Sequence, residues 1–257
     1  MEDFGFINFM HNVKKITGID LNQYKQDQMK RRLISMYQKH GYNSFDEFFN
    51  GMEKDKELVQ EFLDHMTINV TEFFRNPSQW EVLQKKIIPR LYNDNEKVKA
   101  WSAACSTGEE PYSLAMLLDN MNLLKDQILA TDLDFGVIKK AVDGIYNHKS
   151  LHQIPISYRN RYFRKQGLNF EIIESLKKKI KYARHNLLKD SFDTNYDLII
   201  CRNVMIYFTE EAKDLLYQKF SDALRPGGVL FVGSTEQIFK PERYGFEIEE
   251  TFFYKKN

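Results

Sequence analysis

The amino-acid sequence predicts an α/β fold in which parallel strands alternate with helices, preceded by an all-α domain. From about residue 97 onward, short apolar runs alternate with helical patterns, which is typical of βαβ units. Residues 1–76 instead carry apolar side chains at helical spacing. The 257 residues suffice for a large domain plus a small one. We therefore predict a helical domain over 1–76 and an α/β domain over 77–257.

The helical domain is predicted to contain three helices at least. An amphipathic helix is expected over 21–40, where apolar side chains recur on one face and Gly41 follows as a stop signal. Ser44, with Glu47 three residues later, predicts a capping box at the start of a second helix. A third helix is predicted over 57–66.

A line of basic side chains runs along the helix predicted over 21–40. Lys25, Arg32 and Lys39 are seven residues apart, so they share one edge of the helix. Arg31 lies further round the polar side. Charge alone favours a solvated helix face for these four residues.

The α/β domain is predicted to hold strands that alternate with helices, followed by antiparallel strands at the edge of the sheet. Strands are expected over 98–105, 127–134, 182–188, the first half of 196–208, and 229–235; helices over 111–118, 135–146 and 210–224; and edge strands over 247–256. Residues 156–185 show no clean period, and we interpret them as a small inserted subdomain.

The turn after the first strand carries the first candidate ligand residues, because ligands of such folds bind at the carboxyl ends of parallel strands. The second strand ends at Asp132, which lies 24 residues after Gly108. That spacing is near the ~20 residues expected for an acid that binds a ribose diol. Glu109 and Glu110 occupy the position where a dinucleotide needs a phosphate cradle, and they would repel phosphate. The turn therefore favours a cationic, phosphate-free ligand such as S-adenosylmethionine over NAD, although a generic nucleotide-type turn with a capping aspartate would also explain the spacing.

Two further strand ends carry polar candidates. Asn186 and Leu187 close the third strand, where they would hydrogen-bond and pack against an adenine, although an asparagine that simply ends a strand explains them equally well. Arg202 and Asn203 end an apolar strand, where burial is costly unless such side chains are paired.

The segment before the sheet holds Asn69, Thr71 and Arg75. Asn69 and Glu72 have the spacing of a helix cap. Capping leaves Thr71 and Arg75 without a role.

Composition excludes several classes of protein. The net charge of +1 gives no bulk attraction to nucleic acid. No apolar run approaches the ~20 residues of a membrane span, and the first residues lack the build of a signal peptide. The two cysteines, Cys105 and Cys201, fit a reduced, intracellular setting as small buried thiols. His148 and His152 are four residues apart but no third ligand lies near them, so no metal is expected.

Together these segments resemble the CheR family of chemotaxis receptor methyltransferases. The resemblance rests on the run Asn69-x-Thr71-x-x-x-Arg75, the turn WSAACSTGEEPYS, the sequence ATD ending at Asp132, the pair Asn186-Leu187, and the runs CRNVMIYF and GSTEQ. It implies a Rossmann-like S-adenosylmethionine-dependent methyltransferase domain with an N-terminal all-α domain and a small inserted β subdomain. The implied enzyme methylates glutamate carboxylates of chemoreceptors, which leaves glutamate methyl esters and S-adenosylhomocysteine.

The resemblance also implies roles for individual positions. The implied cofactor-binding residues are Asn69, Thr71, Arg75, Glu110 or else Glu109, Asp132, Asn186, Leu187, Arg202 and Asn203. Arg75 and Tyr207 are similar to the family's residues nearest the transferred methyl group. The basic residues Lys25, Arg31, Arg32 and Lys39 would dock on the receptor.

The implied partners are the cytoplasmic domains of chemoreceptors. We expect a cytoplasmic monomer, recruited to membrane-bound receptor arrays without inserting into the membrane. In the family the inserted subdomain can bind a peptide tether at the receptor C-terminus. Because the version over 156–185 is short and poor in glycine, we do not expect it to bind a tether.

The expected mechanism needs no strong general base, because a glutamate carboxylate with a pKa of about 4.3 is already ionised at neutral pH. Two rival functions stay open. One is a methyltransferase of nucleic acid or a small molecule, which the near-neutral charge and the lack of a D/N-P-P-Y/F loop disfavour. The other is a non-catalytic receptor adaptor. A NAD-dependent dehydrogenase is disfavoured by the acidic turn.

Overall fold

The computed structural model describes residues 4–66, 69–94, 97–124 and 126–257. Contacts divide the chain into two compact units. A helical unit comprises Met1–Ile68 and Tyr207–Asp214, and an α/β unit comprises Asn69–Ile206 and Leu215–Asn257.

The division between the units falls earlier than the predicted boundary at residue 76. Residues 69–76 group with the α/β unit. The reason is that Phe73 and Phe74 are buried in the hydrophobic core of that unit, where the ring of Phe74 lies 5.4 Å from the ring of Trp80.

Residues 4–66 of the helical unit contain four α-helices. They are α1 (Phe4–Thr17), α2 (Gln26–Lys39), α3 (Phe45–Lys54) and α4 (Lys56–Met66). Phenylalanine rings hold the unit together: the ring of Phe9 on α1 lies 5.2 Å from that of Phe45 on α3 and 6.0 Å from that of Phe62 on α4. Aromatic pairs of this kind contribute ~0.5–1.5 kcal/mol beyond the area they bury.

Helix α2 begins five residues later than the predicted helix over 21–40. Residues 21–23 form a 3₁₀ turn instead. Tyr24 pairs with Phe208 in an antiparallel bridge, and the N–H of Lys25 donates to the carbonyl of Tyr207 at 2.9 Å. The backbone groups of Tyr24 and Lys25 therefore pair with residues 207–208 instead of forming the first turn of the helix.

The predicted cap of α3 is confirmed. The Oγ of Ser44 accepts a hydrogen bond from the N–H of Glu47 at 3.1 Å, and the Glu47 carboxylate accepts one from the N–H of Asn43 at 2.8 Å. The first bond satisfies an N–H group that a helix start leaves without a partner, and the second holds Asn43, the residue that precedes the cap.

The α/β unit is built on a seven-stranded sheet and a smaller three-stranded one. The strands are β1 (Ala100–Ala103), β2 (Ile128–Asp132), β3 (Ile145–Asn147), β4 (Phe163–Gln166), β5 (Asn169–Ile172), β6 (Ile180–Arg184), β7 (Tyr196–Cys201), β8 (Leu224–Val232), β9 (Phe246–Glu250) and β10 (Phe253–Lys256). The large sheet has the order β6-β2-β1-β7-β8-β10-β9. The five adjacent strands β6, β2, β1, β7 and β8 run parallel to one another. Strand β10 is antiparallel to both of its neighbours, β8 and β9. The predicted α/β class with antiparallel edge strands is confirmed.

Seven α-helices accompany these strands in the described chain. They are α5 (Pro77–Val82), α6 (Ile88–Asp94), α7 (Glu109–Met121), α8 (Phe135–Asp143), α9 (Ile156–Tyr162), α10 (Glu174–Lys177) and α11 (Glu210–Ala223). Helix α7 follows β1 and α8 follows β2, so each helix begins at the edge of the sheet where the preceding strand ends.

The small sheet differs in extent from the subdomain predicted over 156–185. Its order is β3-β5-β4, so it spans 145–172. Strand β6, which lies inside the predicted range, belongs to the large sheet, where Ile180 is paired with Ile128 of β2. Burial of these isoleucines in the main core explains the difference.

Candidate functional site

The turn after β1 is tightly packed. Ala104, Ser106 and Gly108 all have positive φ angles, of 61°, 48° and 94°. A Cβ on Gly108 would lie 2.8 Å from the Cβ of Ala141 and 3.0 Å from the hydroxyl of Tyr146. Only glycine fits both this backbone and this space, so the turn is held close to the strand ends.

Asp132 joins the ends of β1 and β2. Its carboxylate accepts hydrogen bonds from the N–H of Ser106 at 2.8 Å and from the N–H of Asp134 at 3.1 Å. Burial raises the pKa of Asp132, and these backbone bonds oppose the rise. The carboxylate is thus fixed at the strand end, where a ribose diol would donate to its remaining lone pairs.

Asn69 is brought to the same strand ends, although it lies far away in sequence. Its Oδ1 accepts from the Oγ of Ser106 at 3.4 Å, and its Nδ2 donates to Oδ2 of Asp134 at 3.4 Å. Helix capping with Glu72, the alternative left open from the sequence, does not explain this placement. The carboxylate of Glu72 accepts from Gln153 at 2.9 Å.

Glu109 and Glu110 are both buried at the start of α7. Burial raises the pKa of Glu109 to about 7, against the hydrogen bond from the Thr107 hydroxyl at 2.6 Å. Burial also raises the pKa of Glu110, against the attraction of Arg202. Two buried carboxyls without a phosphate-binding glycine loop suit a cationic ligand.

Arg202 connects Glu110 to the segment that carries Arg75. Its Nη1 lies 3.6 Å from Oε2 of Glu110, whose other oxygen accepts from the Ser102 hydroxyl at 2.9 Å. Its Nη2 donates to the carbonyl of Arg75 at 2.8 Å and to Oε1 of Gln79 at 2.9 Å. The buried guanidinium of Arg202 is therefore paired, as expected, and its contact with Glu110 helps to fix the position of that carboxylate.

Arg75 and Thr71 lie on the segment that Arg202 holds, and both are half-buried. The Nη1 of Arg75 donates to the carbonyl of Val70 at 3.0 Å. Its positive charge lowers the pKa of Glu110, as a minor contribution beside burial and Arg202. Arg75 is therefore close enough to interact electrostatically with Glu110, the candidate cofactor-binding carboxylate.

Asn186 and Leu187 follow β6 in a tight turn. Oδ1 of Asn186 accepts from the N–H of Leu188 at 3.0 Å, and the N–H of Asn186 donates to Asp190 at 2.8 Å. The backbone of His185 meets the end of β2, where its N–H donates to the carbonyl of Asp132 at 2.9 Å. The turn is thereby joined to the same sheet edge as the other candidates.

Asn203 has a φ angle of 61°, and its N–H donates to Oε2 of Glu236 at 2.6 Å. Glu236 is a residue beside the candidate site that reasoning from the sequence missed. The run GSTEQ was noted as a motif, but its glutamate received no role, because nothing local in the sequence shows which backbone groups a carboxylate will meet.

The other predicted residues belong to the helical unit. Arg32 uses its guanidinium inside that unit, where it donates to the carbonyls of His65 and, at 3.4 Å, Met66 at the end of α4. Burial lowers the pKa of Arg32, and Tyr207 opposes the change. Arg31 and Lys39 are exposed on α2.

Among the described residues, no group of three or more His, Cys, Asp or Glu side chains is arranged to hold a metal ion. Both cysteines are buried and free. No helix in the described ranges has the length and apolar character of a membrane span.

Comparison with known families identifies two matching domains. The CheR methyltransferase SAM binding domain matches residues 69–252, and the CheR methyltransferase all-alpha domain matches residues 5–67. The first range contains every strand of both sheets except β10.

Curated relatives match the chain along most of its length. A chemotaxis protein methyltransferase of Listeria innocua is 46% identical over 253 residues, which cover 98% of this chain and 97% of the relative. That of Listeria monocytogenes is 45% identical with the same coverage. That of Escherichia coli is 31% identical over 255 residues, which cover 95% of this chain and 87% of the relative.

Proposed function

The chain belongs to the CheR methyltransferase family, and on that basis we propose how its residues carry out the family's reaction. The family's known role is methylation of receptor glutamates, and its SAM binding domain covers residues 69–252 here. The chain is a methyltransferase that acts in chemotaxis. The methyl group of S-adenosylmethionine goes to glutamate side chains of chemoreceptors, which leaves glutamate methyl esters and S-adenosylhomocysteine.

One observation supports the cofactor site more than any other. Side chains from four separate parts of the chain converge on the ends of the neighbouring strands β2, β1 and β7. They are Asp132, Asn69 and the Glu110–Arg202 pair. Ligands of open parallel sheets bind at this edge. The buried acids suit the ammonium and sulfonium groups of S-adenosylmethionine.

The proposed roles follow from this arrangement and from the family pattern. Asp132 accepts from the ribose hydroxyls, and Glu110, or else Glu109, meets the amino-acid end of the cofactor. Asn186 and Leu187 contact the adenine. The pocket is completed by Asn69, Thr71, Arg75, Arg202 and Asn203.

The proposed chemistry is a direct displacement. A carboxylate oxygen of the substrate glutamate forms a bond to the methyl carbon as the carbon–sulfur bond breaks. The electron pair of that bond stays on sulfur, so the cation becomes a neutral thioether and the carboxylate a neutral ester, and no proton moves. Catalysis then rests on positioning, which supplies up to ~7–11 kcal/mol in well-oriented reactions.

Arg75 and Tyr207 are the residues proposed to orient the substrate carboxylate. A guanidinium or a phenol donates a hydrogen bond to a carboxylate oxygen without removing its nucleophilic lone pair. Tyr207 is held by the helical unit through its carbonyl, which accepts from Lys25.

Receptor docking is proposed for the basic edge of α2. Lys25, Arg31 and Lys39 carry the attraction to an acidic partner, whereas Arg32 also stabilises the helical unit through α4. We propose that the cytoplasmic domains of chemoreceptors are the partners and that the enzyme meets them at the receptor arrays. A monomer suffices for cofactor binding, since all the proposed cofactor residues lie in one α/β unit.

The test uses purified protein, labelled S-adenosylmethionine and receptor cytoplasmic fragments, with methyl release scored as methanol in mild base. The proposal predicts base-labile label that disappears when the receptor glutamates are replaced by alanine. Label that persists in the alanine fragments would identify another substrate. Cofactor binding without any label would favour a non-catalytic receptor adaptor.

A further inference from the structure

Glu236 lies in the α/β unit between β8 and β9, and its side chain is almost completely buried, with a relative exposure of 5%. A buried carboxylate is costly unless hydrogen bonds or a cation compensate its charge. Its hydrogen-bond partners therefore indicate what the residue does.

Four backbone N–H groups donate to this single carboxylate. Oε1 accepts from Met205 at 2.7 Å and from Ile206 at 3.3 Å. Oε2 accepts from Asn203 at 2.6 Å and from Gly233 at 2.9 Å. Three of the four donors belong to the loop that leaves β7, directly after Arg202.

The loop depends on these bonds for its shape. Asn203 has a positive φ angle, and residues 205–207 form a single 3₁₀ turn, so regular secondary structure satisfies few of the loop's N–H groups. Buried N–H groups without acceptors are strongly unfavourable. Because all four lone-pair positions of the carboxylate are occupied, Glu236 has no capacity left for a ligand.

Gly233 leaves the space that this arrangement needs. A Cβ at residue 233 would lie 2.5 Å from Oε2 of Glu236 and 3.0 Å from the backbone nitrogen of Asn203. Any side chain there would displace either the carboxylate or the loop.

Glu236 also lies close to the proposed cofactor residues. Burial is the main cause of the raised pKa of Glu110, which Arg202 opposes, and the charge of Glu236 adds to the rise. The same charge raises the pKa of Cys201 at the end of β7, where burial again dominates.

We propose that Glu236 is a positioning residue for the methyl-transfer site. Its carboxylate fixes the loop of residues 203–206 and thereby holds Arg202 and Asn203 in the geometry that binds the cofactor. The inference rests on the proposed function, because it takes Arg202 and Asn203 to be cofactor-binding residues.

The first test compares Glu236→Gln with Glu242→Gln by titration calorimetry with S-adenosylhomocysteine. Glutamine has one oxygen instead of two, so two of the four N–H groups lose their acceptor. The dissociation constant of Glu236→Gln should rise at least tenfold, whereas that of the exposed Glu242→Gln should equal that of the wild-type protein. Equal affinities for all three folded proteins would overturn the proposal.

A second variant tests whether the effect of Glu236 on cofactor affinity is exerted through this loop. Gly233→Ala keeps the Glu236 charge but crowds its carboxylate, so it should weaken binding in the same direction. Since both changes act through one loop, the double variant should lose little more affinity than the weaker-binding single variant. Fully additive losses would contradict a shared mechanism.

A spectroscopic readout reports on the loop itself. In wild-type protein the amide protons of Asn203 and Met205 should resonate far downfield, as expected for short bonds to a carboxylate, and should move upfield in Glu236→Gln. Unmoved resonances would overturn the proposal. If wild-type protein fails to bind S-adenosylhomocysteine, the proposed function fails first, which distinguishes the two failures.

Discussion

Two buried carboxylates at the sheet edge differ in the hydrogen-bond acceptor capacity that remains for a ligand. Asp132 accepts from the N–H groups of Ser106 and Asp134 and keeps acceptor capacity at the strand end. Glu236 accepts four N–H groups and keeps none. Buried carboxylates are therefore proposed to bind a ligand at one position and to fix the geometry of a loop at the other.

Arg75 offers the most direct test of the proposed orientation of the substrate carboxylate. Arg75→Ala should lower kcat by about 10- to 150-fold, because it removes one charge-assisted hydrogen bond worth ~1.5–3 kcal/mol. Receptor methylation rates measured at saturating cofactor check this. Arg164→Ala, which removes an exposed arginine on β4, is the matched control and should keep the wild-type rate. An unchanged kcat in Arg75→Ala would remove Arg75 from the mechanism.

Glu109 should make the stability of the protein depend on pH. Burial raises its pKa to about 7 in the folded protein, above the ordinary glutamate value of 4.5. Between these values the folded state keeps a proton that the unfolded state has lost, so stability falls as the pH rises through this window. Glu109→Gln cannot lose a proton and should escape this part of the decline.

Urea denaturation of both proteins at pH 5 and pH 7.5 measures the effect. The free energy of unfolding of Glu109→Gln minus that of the wild-type protein should be more favourable to the variant at pH 7.5 than at pH 5. A stability difference that is the same at both pH values would show that Glu109 ionises normally.

At the scale of elements, the ends of the parallel strands could be predicted from the sequence. Polar residues that follow apolar runs, such as Asp132 and Arg202, carry that signal locally. The start of α2 could not be predicted, because it depends on pairing between Tyr24 and Phe208. The limits of the small sheet depend likewise on β6 joining β2.

Helix α2 carries basic residues for which two different roles are proposed, stabilising the helical unit and docking on the receptor. Arg32→Ala removes hydrogen bonds to two carbonyls at the end of α4 and should lower the free energy of unfolding by about 2 kcal/mol. Lys39→Ala changes an exposed side chain and should leave stability within ~0.5 kcal/mol. Lys39→Ala should instead raise the KM for receptor fragments.

Urea denaturation and receptor methylation kinetics, run on both variants, separate these tasks. Affinity for S-adenosylhomocysteine, which the α/β unit is proposed to bind, serves as the control and should not change in Lys39→Ala. A normal receptor KM in Lys39→Ala would argue against docking through this edge of α2.

At the scale of the whole molecule, the chain joins two units that match two separate CheR domains. The sequence was sufficient to predict the family, because its motifs lie at strand ends where chemistry constrains residue type. It was not sufficient to predict Glu236, because three of its four N–H donors lie about 30 positions away and depend on how two loops pack.

The central claim is that the edge of the sheet around Asp132 binds S-adenosylmethionine. The most direct measurement is the calorimetric affinity of Asp132→Asn for S-adenosylhomocysteine, beside Asp126→Asn, an exposed aspartate that precedes the same strand. Loss of one charge-assisted hydrogen bond predicts binding at least about tenfold weaker in Asp132→Asn. Asp126→Asn should bind as the wild-type protein does. Wild-type affinity in a folded Asp132→Asn protein would contradict the account.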